Sequence, residues 1–315
     1  MNRRELILGG AALALPLPAA ATAAVPDEWT PAQFHAARRF ADLPVGRIAY
    51  VERGGGPAAI FLHGYPLNGF QWRGAMARLS PHRRCIAPDL MGLGYSENPA
   101  GTALSPAAQG EMIVAFMDRL GIAAADFVSN DSATGIAQLI AANHPDRVRS
   151  LLLTNGDVDT NSPPALLMPF IEKCRDGRAD AWFERHVRDH RWARSNDGLG
   201  NAFRHPETAL SDAHIAVYFG PLVSTPIRRA QARGYGVEML PNPLPAVAPK
   251  LRTFAGQVRM VWGSDVELFP ERWAHWLDHV FPASRGIRLV EGAKLFFPEE
   301  QPALIADEAR RLWGA

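Results

Sequence analysis

The residues best placed to do chemistry lie in Phe127-Val128-Ser129-Asn130-Asp131-Ser132-Ala133-Thr134-Gly135. The stretch closes a short apolar run and opens a helix expected over Ile136 to Asn143, which stops at His144-Pro145. A second apolar run follows from Val148 to Thr154. Strand, sharp turn, helix and strand make the setting of a nucleophile elbow, in which one side chain is presented at the turn's apex. The turn is tight and the helix packs close to the strand, so the residues two before and two after the apex must be small. Ser129 and Ala133 meet that condition around Asp131. The competing register puts Ser132 at the tip, flanked by the bulkier Asn130 and Thr134. The distance to His144-Pro145 also favours Asp131. The plain alternative is an aspartate that only caps a helix N-terminus.

Positioning such a residue takes a framework, and the chain carries one. Arg47 to Val51 and Ala58 to Leu62 are apolar runs on either side of Gly54-Gly55-Gly56 and read as a hairpin. His63-Gly64-Tyr65-Pro66 follows at once, then a short helix over Gln71 to Leu79 and a strand over Arg84 to Ala87. That strand leads into Asp89-Leu90-Met91-Gly92-Leu93-Gly94-Tyr95-Ser96. Pro106 to Leu120 places Met112, Phe116 and Leu120 on one helical face. After Pro249 come a strand at Val258 to Trp262, a helix at Glu271 to Phe281, a strand at Ile287 to Val290 and a last helix at Pro302 to Trp313. Strands alternating with helices imply a mostly parallel sheet covered on both faces. Asn155 to Pro249 breaks this alternation and is far too long for a connection.

Composition narrows the classes. With 47% apolar and 21% charged residues, the 315-residue chain can bury a large core. Its 33 basic and 32 acidic residues nearly cancel, which removes the electrostatic case for nucleic acid or an anionic membrane. Arg3-Arg4 precedes an apolar run rich in Ala, Leu and Gly that ends at Ala21-Thr22-Ala23, the pattern of a twin-arginine export signal over residues 1–24. Pro16, Pro18 and the short apolar length argue against a membrane anchor. The expected mature protein starts near Val25, in the periplasm. The two cysteines, Cys85 and Cys174, do not make a disulfide framework, and no metal or cofactor site is expected.

On His63-Gly64, the Asp89-x-x-Gly92-x-Gly94-x-Ser96 loop, the elbow, Trp262-Gly263 and the closing Glu299-Glu300-Gln301-Pro302, the chain resembles α/β-hydrolases. The resemblance implies a core over residues 25–155 and 246–315, with a helical cap over 156–245 like that of epoxide hydrolases and haloalkane dehalogenases. It implies an oxyanion hole made by the backbone N–H groups of Tyr65 and Ser132. An Asp nucleophile in this family implies attack at an sp³ carbon and an ester intermediate that a histidine-activated water hydrolyses. Haloalkane dehalogenases usually place a halide-binding Trp after the nucleophile and often an Asn after His-Gly. Here those positions hold Ser132 and Tyr65, and His63-Gly64-Tyr65-Pro66 is more similar to the His-Gly-Phe-Pro of epoxide hydrolases. Epoxide hydrolases also use cap tyrosines as proton donors, for which Tyr218 is the candidate and Tyr235 the reserve.

The departures are as informative. Where the family pattern has its histidine, Gly292-Ala293-Lys294-Leu295-Phe296 supplies Leu295. The acid position after Trp262-Gly263 falls on Val266, leaving its neighbours Asp265 and Glu267 as possible acids. Asn155, where some dehalogenases keep their acid, cannot orient a base by charge. A histidine of the inserted segment (His186, His190, His205 or His214) could stand in, and otherwise the standard hydrolytic cycle does not run. The expected partner is a small, mostly apolar substrate of an epoxide hydrolase or dehalogenase type. The alternatives are a non-hydrolytic relative that binds a ligand under the cap, or a lyase or isomerase that uses Asp131 as its base.

Overall fold

The computed structural model describes residues 27–315. The expected export signal over residues 1–24 lies outside the described residues. Eight strands form one sheet: β1 (Arg39–Leu43), β2 (Gly46–Arg53), β3 (Ala58–Leu62), β4 (Arg84–Pro88), β5 (Ala125–Asp131), β6 (Val148–Gly156), β7 (Gln257–Gly263) and β8 (Ser284–Val290). Their spatial order is β1-β2-β4-β3-β5-β6-β7-β8. β1 and β2 are antiparallel to their neighbours, and every pair from β4 to β8 is parallel. This is the α/β-hydrolase fold.

Burial follows position. Every residue of the central β3 and β5 is buried, as strands covered on both faces require, whereas the edge strand β8 has none fully buried. The covering helices include Arg73–Leu79, which packs on Pro302–Trp313, and Pro106–Arg119, which packs on Ser132–Asn143. Local signals set their ends. Ser105 accepts a hydrogen bond from the Ala108 N–H ahead of Pro106, and Gly314 closes the final helix at φ 65°.

One sequence expectation needs correcting. Arg47–Val51 and Ala58–Leu62 do not form a hairpin. β2 pairs with β4, and β4 separates it from β3. The hairpin instead joins β1 to β2 through register pairs such as Leu43↔Gly46. Alternation reports that a strand is half-buried, and a glycine-rich connection is compatible with either neighbour. Which strand lies beside which is settled by long-range packing.

Between β6 and β7 the chain makes seven α-helices, from Met168–Arg175 to Leu244–Leu251. The charged run within them is a solvated face carrying ion pairs such as Arg188–Glu184 and Arg233–Asp180. Phe183 and Phe219 are fully buried beneath it. Trp182, from the same layer, reaches a cavity wall. Cys85 and Cys174 are buried free thiols. No helix among the described residues is long and apolar enough to cross a membrane.

Candidate active site

Asp131 ends β5 at φ 58° and ψ −132°, a conformation that costs a non-glycine residue on the order of 1–3 kcal/mol. The helix Ser132–Asn143 starts at the next residue. Ser132 itself is helical, so the strained apex belongs to Asp131 and not to the competing register. Two glycines make room for it. A Cβ on Gly64 would stand 2.6 Å from the Asp131 Cβ, and one on Gly156 would stand 2.1 Å from the Asp131 carbonyl oxygen. The loop after β3 and the end of β6 can therefore close on the turn only as glycine.

The Tyr65 N–H donates to Asp131 Oδ2 at 2.7 Å. A buried polar network holds that donor in place. The Gly64 N–H donates to Gln71 Oε1 at 3.0 Å, and Gln71 Nε2 donates to Asn130 Oδ1 at 2.7 Å. Asn130 Nδ2 in turn donates to Thr154 Oγ1 and to the Leu295 carbonyl. The loop after β3, the elbow and the loop after β8 are thus tied through two neighbouring side chains, Gln71 and Asn130. Burial pushes the Asp131 carboxyl up to about 6, against the opposing pull of the Ser132 and Tyr65 N–H groups. The same two donors would also face the oxyanion of an ester attacked at the Asp131 carbonyl carbon.

Asp131 opens onto a cavity of about 600 Å³ between the sheet's carboxyl edge and the inserted helices. Its walls are largely apolar and aromatic, with Tyr65, Phe170, Trp182, Met239 and Phe296 among them. Leu295 and Val266 both line it. The loop that carries Val266 is pinned by Trp262 Nε1 donating to the Phe269 carbonyl, and by Asn155. Asn155 Oδ1 accepts from the Gly263 N–H, and its Nδ2 donates to the Gly263 carbonyl. That pinning turns Val266 inward and leaves Asp265 and Glu267 exposed at the cavity rim. As possible acids they have nothing to orient, because no histidine lines the cavity among the described residues.

The expected substitutes for that histidine are engaged elsewhere. His186 is buried, with Nδ1 on the Trp182 carbonyl at 2.8 Å and Nε2 accepting from the Leu199 N–H at 3.0 Å. Burial pushes it down to about 4, so it is neutral at physiological pH. His190 meets Asp212, His214 Nδ1 meets the Ala209 carbonyl, and His205 is exposed. His63 spends both ring nitrogens on backbone, at Gly64 and Leu90.

Of the two tyrosine candidates, Tyr218 is not at the site. It is fully buried and its hydroxyl donates to Glu299 Oε2 at 2.8 Å. Glu299 also pairs with the buried Arg73, which reaches Glu28 as well. An apolar stretch with one tyrosine looks the same from sequence whether the hydroxyl faces a cavity or a buried carboxylate. We expect Tyr218→Phe to cost about 1.5–3 kcal/mol of stability, the loss of a bond to a charged group. Glu299→Ala should cost about 1.5–3 kcal/mol, because the buried Arg73 loses one charged partner and keeps only Glu28. Denaturant unfolding of the two variants measures both. Tyr235 comes closer. It stacks on Tyr65 with ring centroids 5.2 Å apart, and its hydroxyl lies 3.0 Å from Ser132 Oγ. It stands behind Ser132 and is not part of the cavity wall.

Among the cavity residues that spacing and motifs do not single out, Asp157 bears most on the chemistry. Asp157 follows the end of β6, is 2% exposed and lines the cavity with Asp131. The available signal was a carboxylate just past a strand's carboxyl end, where sheets of this type place ligands. Among the described residues, no group of three or more His, Cys, Asp or Glu is arranged to hold a metal.

Comparison with known proteins agrees with this architecture. Residues 57–212 match the α/β-hydrolase fold family. Haloalkane dehalogenase 2 of Mycobacterium tuberculosis is 35% identical over 117 residues, 37% of this chain and 41% of that protein. A 2-hydroxymuconate semialdehyde hydrolase of Pseudomonas putida is 40% identical over 114 residues, covering 36% and 40% of the two chains. Bifunctional epoxide hydrolase 2 of Rattus norvegicus is 32% identical over 127 residues, covering 40% and 23%. The chain spans less than half the length of each of these relatives. Among solved structures, the epoxide hydrolase CorEH superposes with a TM-score of 0.73 at 21% identity, over 88% of this chain and 98% of that one. The haloalkane dehalogenase DbeA from Bradyrhizobium elkani superposes at 0.74 and 23% identity, over 88% and 97%. The strand order, the strained turn at Asp131 and these matches together make the chain a member of the α/β-hydrolase superfamily, with haloalkane dehalogenases and epoxide hydrolases among its relatives.

Proposed function

We infer that Asp131 is the nucleophile of a hydrolase-type enzyme acting on a small, mostly apolar substrate beneath a helical cap, the segment between β6 and β7. The observation that carries this reading is the Tyr65 N–H, 2.7 Å from Oδ2 of Asp131, whose strained apex faces a largely apolar cavity. A carboxylate so held attacks an sp³ carbon and forms an ester, whose carbonyl oxygen then sits by the Tyr65 and Ser132 N–H groups. Opening an epoxide or displacing a halide would both meet that description. Leu295 and Val266, at the positions of base and acid, make the second half-reaction slow, so the ester accumulates.

Intact-protein mass spectrometry after incubation with a small epoxide tests this. The expected result is one added substrate mass, carried by the peptide that contains Asp131. Fast multiple turnover with no adduct, or an adduct on any other residue, would defeat the reading.

The cavity also favours a second reading, in which Asp131 takes a proton instead of attacking carbon. Its pKa of about 6 suits a general base near neutral pH. Deuterium exchange into an apolar ketone without any covalent adduct would select it.

A further inference from the structure

We propose that Asp157 is a second catalytic carboxyl: it protonates the oxygen of an epoxide opened by Asp131 and then draws the proton from the water that hydrolyses the ester. The proposal rests on the reading of Asp131 as nucleophile, and it assigns to Asp157 the work of the histidine that this cavity lacks, done by a weaker base and slowly enough that the ester still accumulates.

The placement comes from the backbone. β5 and β6 run parallel and pair at Asp131↔Gly156, so the next residue is delivered beside the elbow. The Asp157 N–H donates to the Asp131 carbonyl at 3.2 Å, and the Asp157 carbonyl accepts from Gln138 Nε2 at 2.7 Å. The helix of the elbow leaves space for the side chain at Gly135, where a Cβ would stand 3.0 Å from the Asp157 Cβ. The carboxyl is thereby fixed in the wall of the cavity that Asp131 faces.

Its chemistry follows from the surroundings. Both carboxyls are buried, and no Lys, Arg or His is among the groups that act on either. Two such carboxyls cannot both ionise cheaply, so one keeps its proton. Asp131 accepts the Tyr65 and Ser132 N–H bonds and carries the charge. Asp157 has only the Ser162 side chain to favour its charged form, while burial and the Asp131 charge both push its pKa well up. The pair is a carboxylate nucleophile beside a carboxylic acid. A departing halide has no use for a proton, whereas an opening epoxide oxygen does. The acid therefore selects epoxides over alkyl halides.

The steps balance. Asp131 Oδ forms a bond to an epoxide carbon as the C–O bond breaks, and the ring oxygen takes the Asp157 proton. The products are a hydroxyalkyl ester on Asp131 and an ionised Asp157. Asp157 then takes a proton from water while hydroxide adds to the ester carbonyl. Collapse breaks the carbonyl–O(alkyl) bond, and the leaving oxygen takes the proton of the newly formed Asp131 acid. Diol leaves, Asp131 is again ionised and Asp157 again protonated.

The test compares two probes on the full chain by rapid-quench intact mass: butylene oxide, whose leaving oxygen needs a proton, and butyl bromide, whose bromide does not. Asp157→Asn should slow ester formation from butylene oxide by roughly 10²-fold, the ordinary worth of a general acid. Ester formation from butyl bromide should fall at least tenfold less than that from butylene oxide, circular dichroism reports that the fold is kept, and the resulting ester should last about tenfold longer or more. Asp157→Ala supplies an independent arm, in which added formate should restore epoxide opening without affecting the bromide reaction. Equal losses on both probes, no loss on the epoxide, or no rescue by formate would overturn the proposal. If the wild type forms no ester with either probe, the reading of Asp131 as nucleophile fails, and the assignment of Asp157 falls with it.

Discussion

Asp131→Asn should abolish ester formation and, at the same time, stabilise the protein at alkaline pH. The amide is a poor nucleophile, so the loss in adduct rate should be on the order of 10⁴ or more. The stability gain follows from proton linkage. Burial raises the Asp131 carboxyl from 3.8 to about 6. Folding therefore favours the protonated form, and the contribution to stability is full below the unfolded value and lost as pH rises through the folded one. Above that range the native state holds a carboxylate that water would solvate better. A rise of about two units corresponds to about 3 kcal/mol. Asparagine keeps an oxygen for the Tyr65 N–H and tolerates positive φ better than most residues, so it removes the charge without disturbing the turn. At pH 8 the variant should be more stable by about 3 kcal/mol, and near pH 3, below the unfolded value, the two proteins should be equal. Urea unfolding at the two pH values measures this. A gain that is the same at both would mean that charge burial is not its source.

Leu295→His together with Val266→Asp should speed the release of the Asp131 ester by roughly 10²-fold or more. Both residues line the cavity that Asp131 faces. The loop bearing Leu295 is tied to the elbow by Asn130 Nδ2 on its carbonyl at 3.0 Å. An imidazole there can take a proton from water near the ester carbonyl, and an aspartate at 266 would hold its tautomer. Losing a triad's base costs on the order of 10³ to 10⁶, so a loosely placed histidine recovers a measurable part. The opposing cost is two polar groups in a largely apolar wall, about 1–3 kcal/mol. The folded fraction should be followed by circular dichroism alongside the ester lifetime by mass spectrometry. A well-folded double variant whose ester lasts as long as in the parent would place the obstacle in the loop geometry and not in the missing side chains.

Much of the framework is legible along the chain, because it is local. Alternating strands and helices fix a mostly parallel sheet, and the over-long stretch after β6 marks where extra helices must go. The turn at Asp131 is legible from Ser129 and Ala133, since small neighbours are a short-range requirement. That Leu295 stands where the family pattern has its histidine is read from spacing to the closing Glu300-Gln301-Pro302. What the sequence alone leaves undecided depends on contacts between distant segments. That β4 separates β2 from β3 is a matter of sheet assembly. Whether a tyrosine hydroxyl meets a cavity or a buried carboxylate depends on the far side of the fold. Tyr218 turns to Glu299 while Tyr235 turns to Ser132. Ten histidines offer ten stand-ins on paper, and only their three-dimensional positions exclude each from the cavity. Asp157 is unremarkable in the chain, an acidic residue past a strand. It becomes the neighbour of Asp131 because two parallel strands end together and a glycine in the adjoining helix leaves room for its side chain. Spacing along one element is set by bond geometry and can be read directly. Proximity across elements is set by how the whole core packs, and no single segment carries it.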